Sequence, residues 1–188
     1  SRVLAFILDP NEKHGLNTLG LKALAKVASI KLTHPLSKAN VITELGCYHS
    51  RTDKRGRIDI LIEMDDQIIA IENKINHICN NPFLIYEKYI NKEYKDYSKK
   101  DFIILGLCND KSNTGNFKFV SHFDFGKEMK RLLESYDGSS PYLIFINDYL
   151  DALSTMDKKD FFSQNESEIF DFILENSNKL DQLNQFKE

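Results

Sequence analysis

The chain predicts an α/β domain in the order α-β-β-β-α-β, with a mixed central sheet, flanking helices and extra helices at its C-terminal end. Three observations point there. Two runs rich in β-branched residues, 57–64 and 67–74, are joined by a polar hinge at Asp65 and Asp66, the mark of a hairpin. A third apolar run, 101–107, follows a stretch of helical character, as a crossover to a further strand requires. Upstream, Leu19, Leu21, Ala23, Leu24, Val27, Ala28 and Ile30 mark a largely buried helix. At 188 residues, with neither internal repeat nor low-complexity linker, the whole of 1–188 reads as one domain able to bury a substantial core.

The elements follow in order. Residues 1–8 read as the end of a helix. Asp9, Pro10 and Glu12 have the capping Asp, first-position Pro and third-position Glu of a helical start, so capping is the expected role of Asp9. A largely buried helix is expected over 19–30, followed by strands at 41–47, 57–64 and 67–74. An even loop centred on Asp65 and Asp66 pairs residues whose numbers sum to a constant, which sets Ile60 opposite Ile71 and Asp59 opposite Glu72. Ile58, Ile60 and Ile62 are expected on one sheet face, with Leu61 on the other. A helix begins after Pro82 and runs to about residue 95, and 101–107 is a buried strand. Helices over 125–136, 141–156 and 166–183 complete the chain, the last with Ile169, Phe170, Ile173, Leu174 and Leu180 on one face.

A net charge of -3 excludes a basic protein that coats nucleic acid, so any such contact must come from local patches. His49, Arg51, Lys54, Arg55 and Arg57 crowd the connection before the 57–64 strand, where phosphates could be met; a solvated loop with scattered charge is the equal alternative. Lys92, Lys95, Lys99 and Lys100, interleaved with Tyr94 and Tyr97, read as a solvated helix end. Cys47, Cys79 and Cys108 are odd in number and widely spaced, which gives no disulfide framework and agrees with a reducing compartment. No apolar run approaches membrane-spanning length and no basic-then-apolar leader opens the sequence, so a cytoplasmic protein without a membrane partner is expected.

Charge appears where apolar alternation would not put it, at Asp59, Glu72 and Lys74. Glu72 and Lys74, two apart on a strand, share a face, and two carboxylates across an antiparallel ladder repel unless a proton or cation lies between them. Magnesium, which takes hard oxygen ligands and often only one or two protein carboxylates, would resolve the conflict, and Lys74 would then reach the attacking water or the attacked phosphate. A buried or partly exposed ion-pair cluster explains the same trio equally well. A rival metal reading joins Cys47 and His49 to His77 and Cys79 as zinc ligands at one sheet edge; small buried thiols with loop histidines are its ordinary explanation. His14, next to Gly15, more simply serves a turn than a proton transfer.

The run Gly56-Arg57-Ile58-Asp59-Ile60-Leu61-Ile62-Glu63, followed by Ile71-Glu72-Asn73-Lys74-Ile75, resembles the core of the PD-(D/E)XK nuclease superfamily, in particular a bacterial branch with the patterns G-R-I-D-I-L-I-E and I-E-N-K-I. Leu8-Asp9-Pro10 with His14-Gly15 is similar to that branch's L-D-P-x-x-x-H-G segment, and Phe145-Ile146-Asn147-Asp148-Tyr149-Leu150 to its late F-x-x-D-Y-I stretch, so the likeness covers most of the chain. It implies a restriction-endonuclease-like core. It also implies Asp59 and Glu72 as magnesium ligands, with manganese as a substitute, and Lys74 as the residue assisting the attacking water. Glu44, His14 and Asp9 become accessory candidates. The chain departs from the family in the helix after I-E-N-K-I: aligned on Tyr89, the place of the family's Gln is taken by Ile85.

The function expected is that of a metal-dependent nuclease cutting DNA rather than RNA, in defence against foreign DNA or in DNA repair. The alternative is a nuclease-derived module that binds nucleic acid or protein without turnover. A homodimer or a partner protein is compatible with either.

Overall fold

The computed structural model describes residues 1–49, 54–75, 81–107 and 114–155, and of 49, 54 and 55 the backbone alone. The helix expected over 166–183 lies outside the described residues.

The chain opens with α1 (Arg2–Leu8), whose Leu4, Ala5, Ile7 and Leu8 are buried. The helical start expected at Asp9 does not form. The Asp9 N–H closes α1 onto the Ala5 carbonyl, and the Asp9 carboxylate accepts from the Asn11 N–H at 2.9 Å. That bond to the second residue on is an Asx turn, an alternative to a helical first turn. The residues up to α2 (Leu19–Ala28) accordingly run as turns, with Gly15 at φ +72 and Asn17 at φ 51. α2 ends two residues short of the expected residue 30, where Ser29 enters the left-handed region at φ 53.

Next comes the hairpin pair β1 (Asn40–His49) and β2 (Lys54–Met64), then β3 (Gln67–Lys74), α3 (Phe83–Glu93), β4 (Lys99–Gly106), β5 (Lys118–Ser121), α4 (His122–Glu134) and α5 (Leu143–Thr155). The strands lie in one sheet in the order β1-β2-β3-β4-β5, antiparallel across the first three and parallel from β3 to β5. This is the expected mixed sheet with one more strand. β5 escapes a reading by pattern because it is only four residues long and directly precedes a helix.

The register of β2 against β3 is the one anticipated, from Met64 opposite Gln67 to Ile60 opposite Ile71. The ladder stops there, one pair short of Asp59 and Glu72. The cause is visible on the other side of β2: β1 pairs Thr43 with Ile60 and Leu45 with Ile58 but leaves a gap between them, where Glu44 takes φ 57. A left-handed residue inside a strand rotates the chain about its axis. The expected common face for Ile58, Ile60 and Ile62 is therefore corrected: Ile60 and Ile62 pack with α1, α2, α4 and α5, whereas Ile58 joins Leu61 on the side of α3. Asp59 sits at this turning point.

Two cores result. Ile60, Ile62, Ile69, Ile71, Ile103 and Leu105 meet the helices on one face, and Leu61, Ile68, Ala70 and Ile104 meet Phe83, Tyr86 and Ile90 of α3 on the other. Strands buried on both faces explain their near-continuous apolar sequence. Among the described residues no helix is long and apolar enough to cross a membrane.

Candidate active site

β3 carries Glu72 and Lys74 past the end of its antiparallel ladder on the α3 side, where neither has a strand partner in β2. Glu72 is 3% exposed. Its Oε1 takes two donors, the Lys74 ammonium at 2.9 Å and the Asn81 amide at 2.5 Å, while its Oε2 is buried and has no partner. Burial and, after it, the negative charge of Asp59 push the Glu72 carboxyl from 4.5 up to about 7, against the opposing pull of Lys74 and Asn81. Asp59, half-buried at the turning point of β2, turns its carboxylate to the backbone of the neighbouring strand and accepts from the Asn73 N–H at 2.9 Å. The structure thus brings Asp59, Glu72 and Lys74 into one electrostatic neighbourhood, although the direct cross-strand pairing of the two acids is replaced by Asp59's bond to Asn73.

The remaining sequence candidates are placed as follows. Glu44, directly across from Asp59 in the gap of the β1–β2 ladder, is exposed and pairs with Arg57 at 3.4 Å. His14 is fully buried but spent on the turn after α1: its Nδ1 accepts from the Leu16 N–H at 2.8 Å, which leaves Nε2 to donate to the Asp9 carbonyl at 2.8 Å. Burial lowers its pKa. Asp9 holds the same turn, so neither residue is joined to the Asp59 and Glu72 neighbourhood by a bond. Arg57 is exposed on β2, two residues before Asp59. Arg51 and the side chains of His49, Lys54 and Arg55 lie outside what is described, as do His77 and Cys79 of the zinc reading. Cys47 is buried, and burial pushes its thiol up to about 11.

Two residues that pattern reasoning passed over belong to this neighbourhood. Asn81 uses its whole amide there: Oδ1 accepts from Lys74 at 2.6 Å, and Nδ2 donates to Glu72 and, at 3.3 Å, to the Tyr86 hydroxyl. Tyr86, 2% exposed, also accepts from the Arg57 N–H at 3.4 Å and stacks so close to Gly56 that a Cβ there would lie 2.4 Å from its ring. The α3 aromatic bonded into this network is Tyr86, not the Tyr89 of the family pattern, and the amide beside it comes from the residue before Pro82. No periodicity or motif marks Asn81 in the sequence; the helical turn from Pro82 to Tyr86 brings its amide to the Tyr86 hydroxyl, and the same amide reaches Glu72. Outside this network, His122 is fully buried at the start of α4, with both ring nitrogens unpartnered and burial lowering its pKa to about 4.

Among the described residues no group of three or more His, Cys, Asp and Glu side chains is placed to hold a metal ion. The donor set nevertheless fits a hard cation that needs few protein ligands: a buried, unpartnered carboxylate oxygen on Glu72, and a second carboxylate whose charge is felt there.

A mixed sheet between two helical layers, with acids and a lysine where its central hairpin opens, is the frame of a restriction-endonuclease-like fold. The profile of the PD-(D/E)XK nuclease superfamily matches residues 1–183, and the chain belongs to that superfamily. Its members have nuclease-type functions and generally use divalent metal ions. No curated protein matches the chain. Among solved structures it is similar to the small subunit of the heterodimeric restriction endonuclease R.BspD6I, with 15% identity, a TM-score of 0.37, and coverage of 93% of this chain and 98% of that one.

Proposed function

We propose that this chain, acting as a single domain, is a magnesium-dependent nuclease that hydrolyses phosphodiester bonds of DNA, with manganese as a substitute ion. The observation that carries the reading is the unpartnered Oε2 of Glu72, held in a buried site next to a second acid and a lysine. A carboxylate oxygen left so is costly unless a cation meets it.

Glu72 and Asp59 would hold the ion. When bound, it would neutralise charge on the phosphate and favour deprotonation of water. The chain's own residues do the rest. Lys74 presents an ammonium with three donors and no acceptor, suited to the charge that develops on the attacked phosphate or to orienting the attacking water. Asp59, fixed by the Asn73 N–H, keeps one carboxylate oxygen available without a side-chain rotation. Arg57 and the neighbouring basic residues His49, Arg51, Lys54 and Arg55 would meet the phosphate backbone without reading sequence. Service in defence against foreign DNA or in repair is compatible with this chemistry.

The test is cleavage of plasmid, linear and single-stranded DNA and of RNA, each with magnesium, with manganese and with chelator. Metal-dependent cutting of DNA is the expected result. Metal-dependent binding of DNA with no cleavage of any substrate, equal in wild type and Lys74→Ala, would replace the enzyme by a nucleic-acid-binding module.

A further inference from the structure

We propose that Asn81 is a positioning residue that keeps Lys74 off the unpartnered Oε2 of Glu72, the oxygen that would meet a cation, an inference that rests on the nuclease reading above. Lys74 lies two residues beyond Glu72 on the same strand face, and its ammonium already touches Oε1 at 2.9 Å. Left to itself, a flexible lysine beside a buried carboxylate gains most by lying across both oxygens, because an uncompensated buried charge is costly. That would cover Oε2, the oxygen left free for a cation, and would turn the ammonium away from the reacting phosphate.

Asn81 prevents both. Its carbonyl oxygen draws the Lys74 Nζ to 2.6 Å, closer than Glu72 holds it, while its amide nitrogen occupies Oε1 at 2.5 Å. The direction of the amide is forced: a flip would set NH₂ against an ammonium and a carbonyl oxygen against a carboxylate. Its second proton goes to the Tyr86 hydroxyl at 3.3 Å, and the Tyr86 ring is wedged against the backbone of Gly56, so the amide is anchored to α3 and β2 rather than to Lys74 alone. Asn81 stands at the entry to α3, directly before the Pro82 cap. Partners behind metal ligands of this kind typically matter by one to two orders of magnitude.

The experiment is a double-mutant cycle of Asn81→Ala and Lys74→Ala, read by manganese calorimetry on the metal-free protein and by kcat and KM for DNA cleavage. Asn81→Ala alone is expected to weaken manganese binding roughly 10-fold and to lower kcat roughly 10- to 100-fold with KM little changed. In the Lys74→Ala background the same substitution should leave kcat where Lys74→Ala put it, and manganese affinity should return toward wild type, since the competing ammonium is gone. Additive losses in kcat, or a manganese defect that persists without Lys74, would overturn the proposal and make Asn81 a plain support of Glu72. If Asn81→Ala does not fold, Asn81→Leu, which keeps the bulk and loses every bond, enters the same cycle. If the wild type cleaves nothing but binds manganese, the calorimetric arm decides alone. A wild type that neither binds manganese nor cuts any substrate overturns the nuclease reading itself, and the proposal with it.

Discussion

At the scale of single residues, Lys74 separates chemistry from binding. Lys74→Ala is expected to lower cleavage by at least ~100-fold while manganese binding persists, because an ammonium is no metal ligand; single-turnover assays beside calorimetry check both halves. Two buried groups give opposite pH dependences of stability. His122 has its folded pKa lowered from 6.5 to about 4. The unfolded chain then binds more protons across that window, so the stability His122 contributes is full above 6.5 and is lost as pH falls toward 4. The loss is about 3 kcal/mol, and denaturation of His122→Leu between pH 4 and 7 should show a correspondingly flatter profile. Glu72 runs the other way. Its folded pKa is raised from 4.5 to about 7, so the metal-free protein loses stability as pH climbs through that range. Glu72→Gln should therefore be more stable than wild type at pH 7 in chelator, and a wild type that is the more stable of the two would contradict the buried-carboxylate account.

At the scale of elements, close backbone approaches decide geometry that no single side chain controls. Gly20 of α2 lies against α1 so tightly that a Cβ would fall 2.2 Å from the Ile7 carbonyl oxygen, a contact neither helix can relieve by rotating a side chain. Gly20→Ala is expected to cost about 1–3 kcal/mol, read as a lower denaturant midpoint with little change in the cleavage rate of the folded protein. The interruption of β1 at Glu44 has a different consequence. By turning β2 at Asp59, it frees that carboxylate from the ladder and lets it bond the Asn73 N–H, one residue beyond Glu72. A regular strand would have kept the two acids face to face. The broken one leaves Asp59 bonded to the backbone of β3, where its charge acts on Glu72.

At the scale of the whole molecule, the proposed nuclease must bind a polyanion with a net charge of -3, so affinity should depend on a local basic surface and fall steeply with salt. Arg51→Ala with Arg55→Ala should weaken DNA binding and reduce the slope of log affinity against log salt by about 2, one for each phosphate contact removed. An unchanged slope would mean that the duplex lies elsewhere on the surface. Fluorescence anisotropy on a short duplex at several salt concentrations measures it.

Much of this protein is written in local sequence. The strands declared themselves because Ile58 to Ile62 and Ile68 to Ile71 are apolar on both faces, which only a doubly covered sheet accommodates, and Asp65-Asp66 fixed the hairpin register by the arithmetic of an even loop. The three charges that interrupt those strands were legible for the same reason, as exceptions to burial. What tertiary structure alone decided is how those charges are arranged. The left-handed turn at Glu44 that reverses the face of Ile58 and the packing of α3 that brings Asn81 and Tyr86 to Glu72 depend on contacts between distant segments, whereas the Asx turn at Asp9 is local, an alternative to helix capping that the same residues allow. Period and propensity describe each residue's neighbours along the chain. Lys74 is a neighbour of Glu72 along its own strand, but the Asn81 amide and the charge of Asp59 on the next strand reach Glu72 only once the sheet and its covering helix have closed.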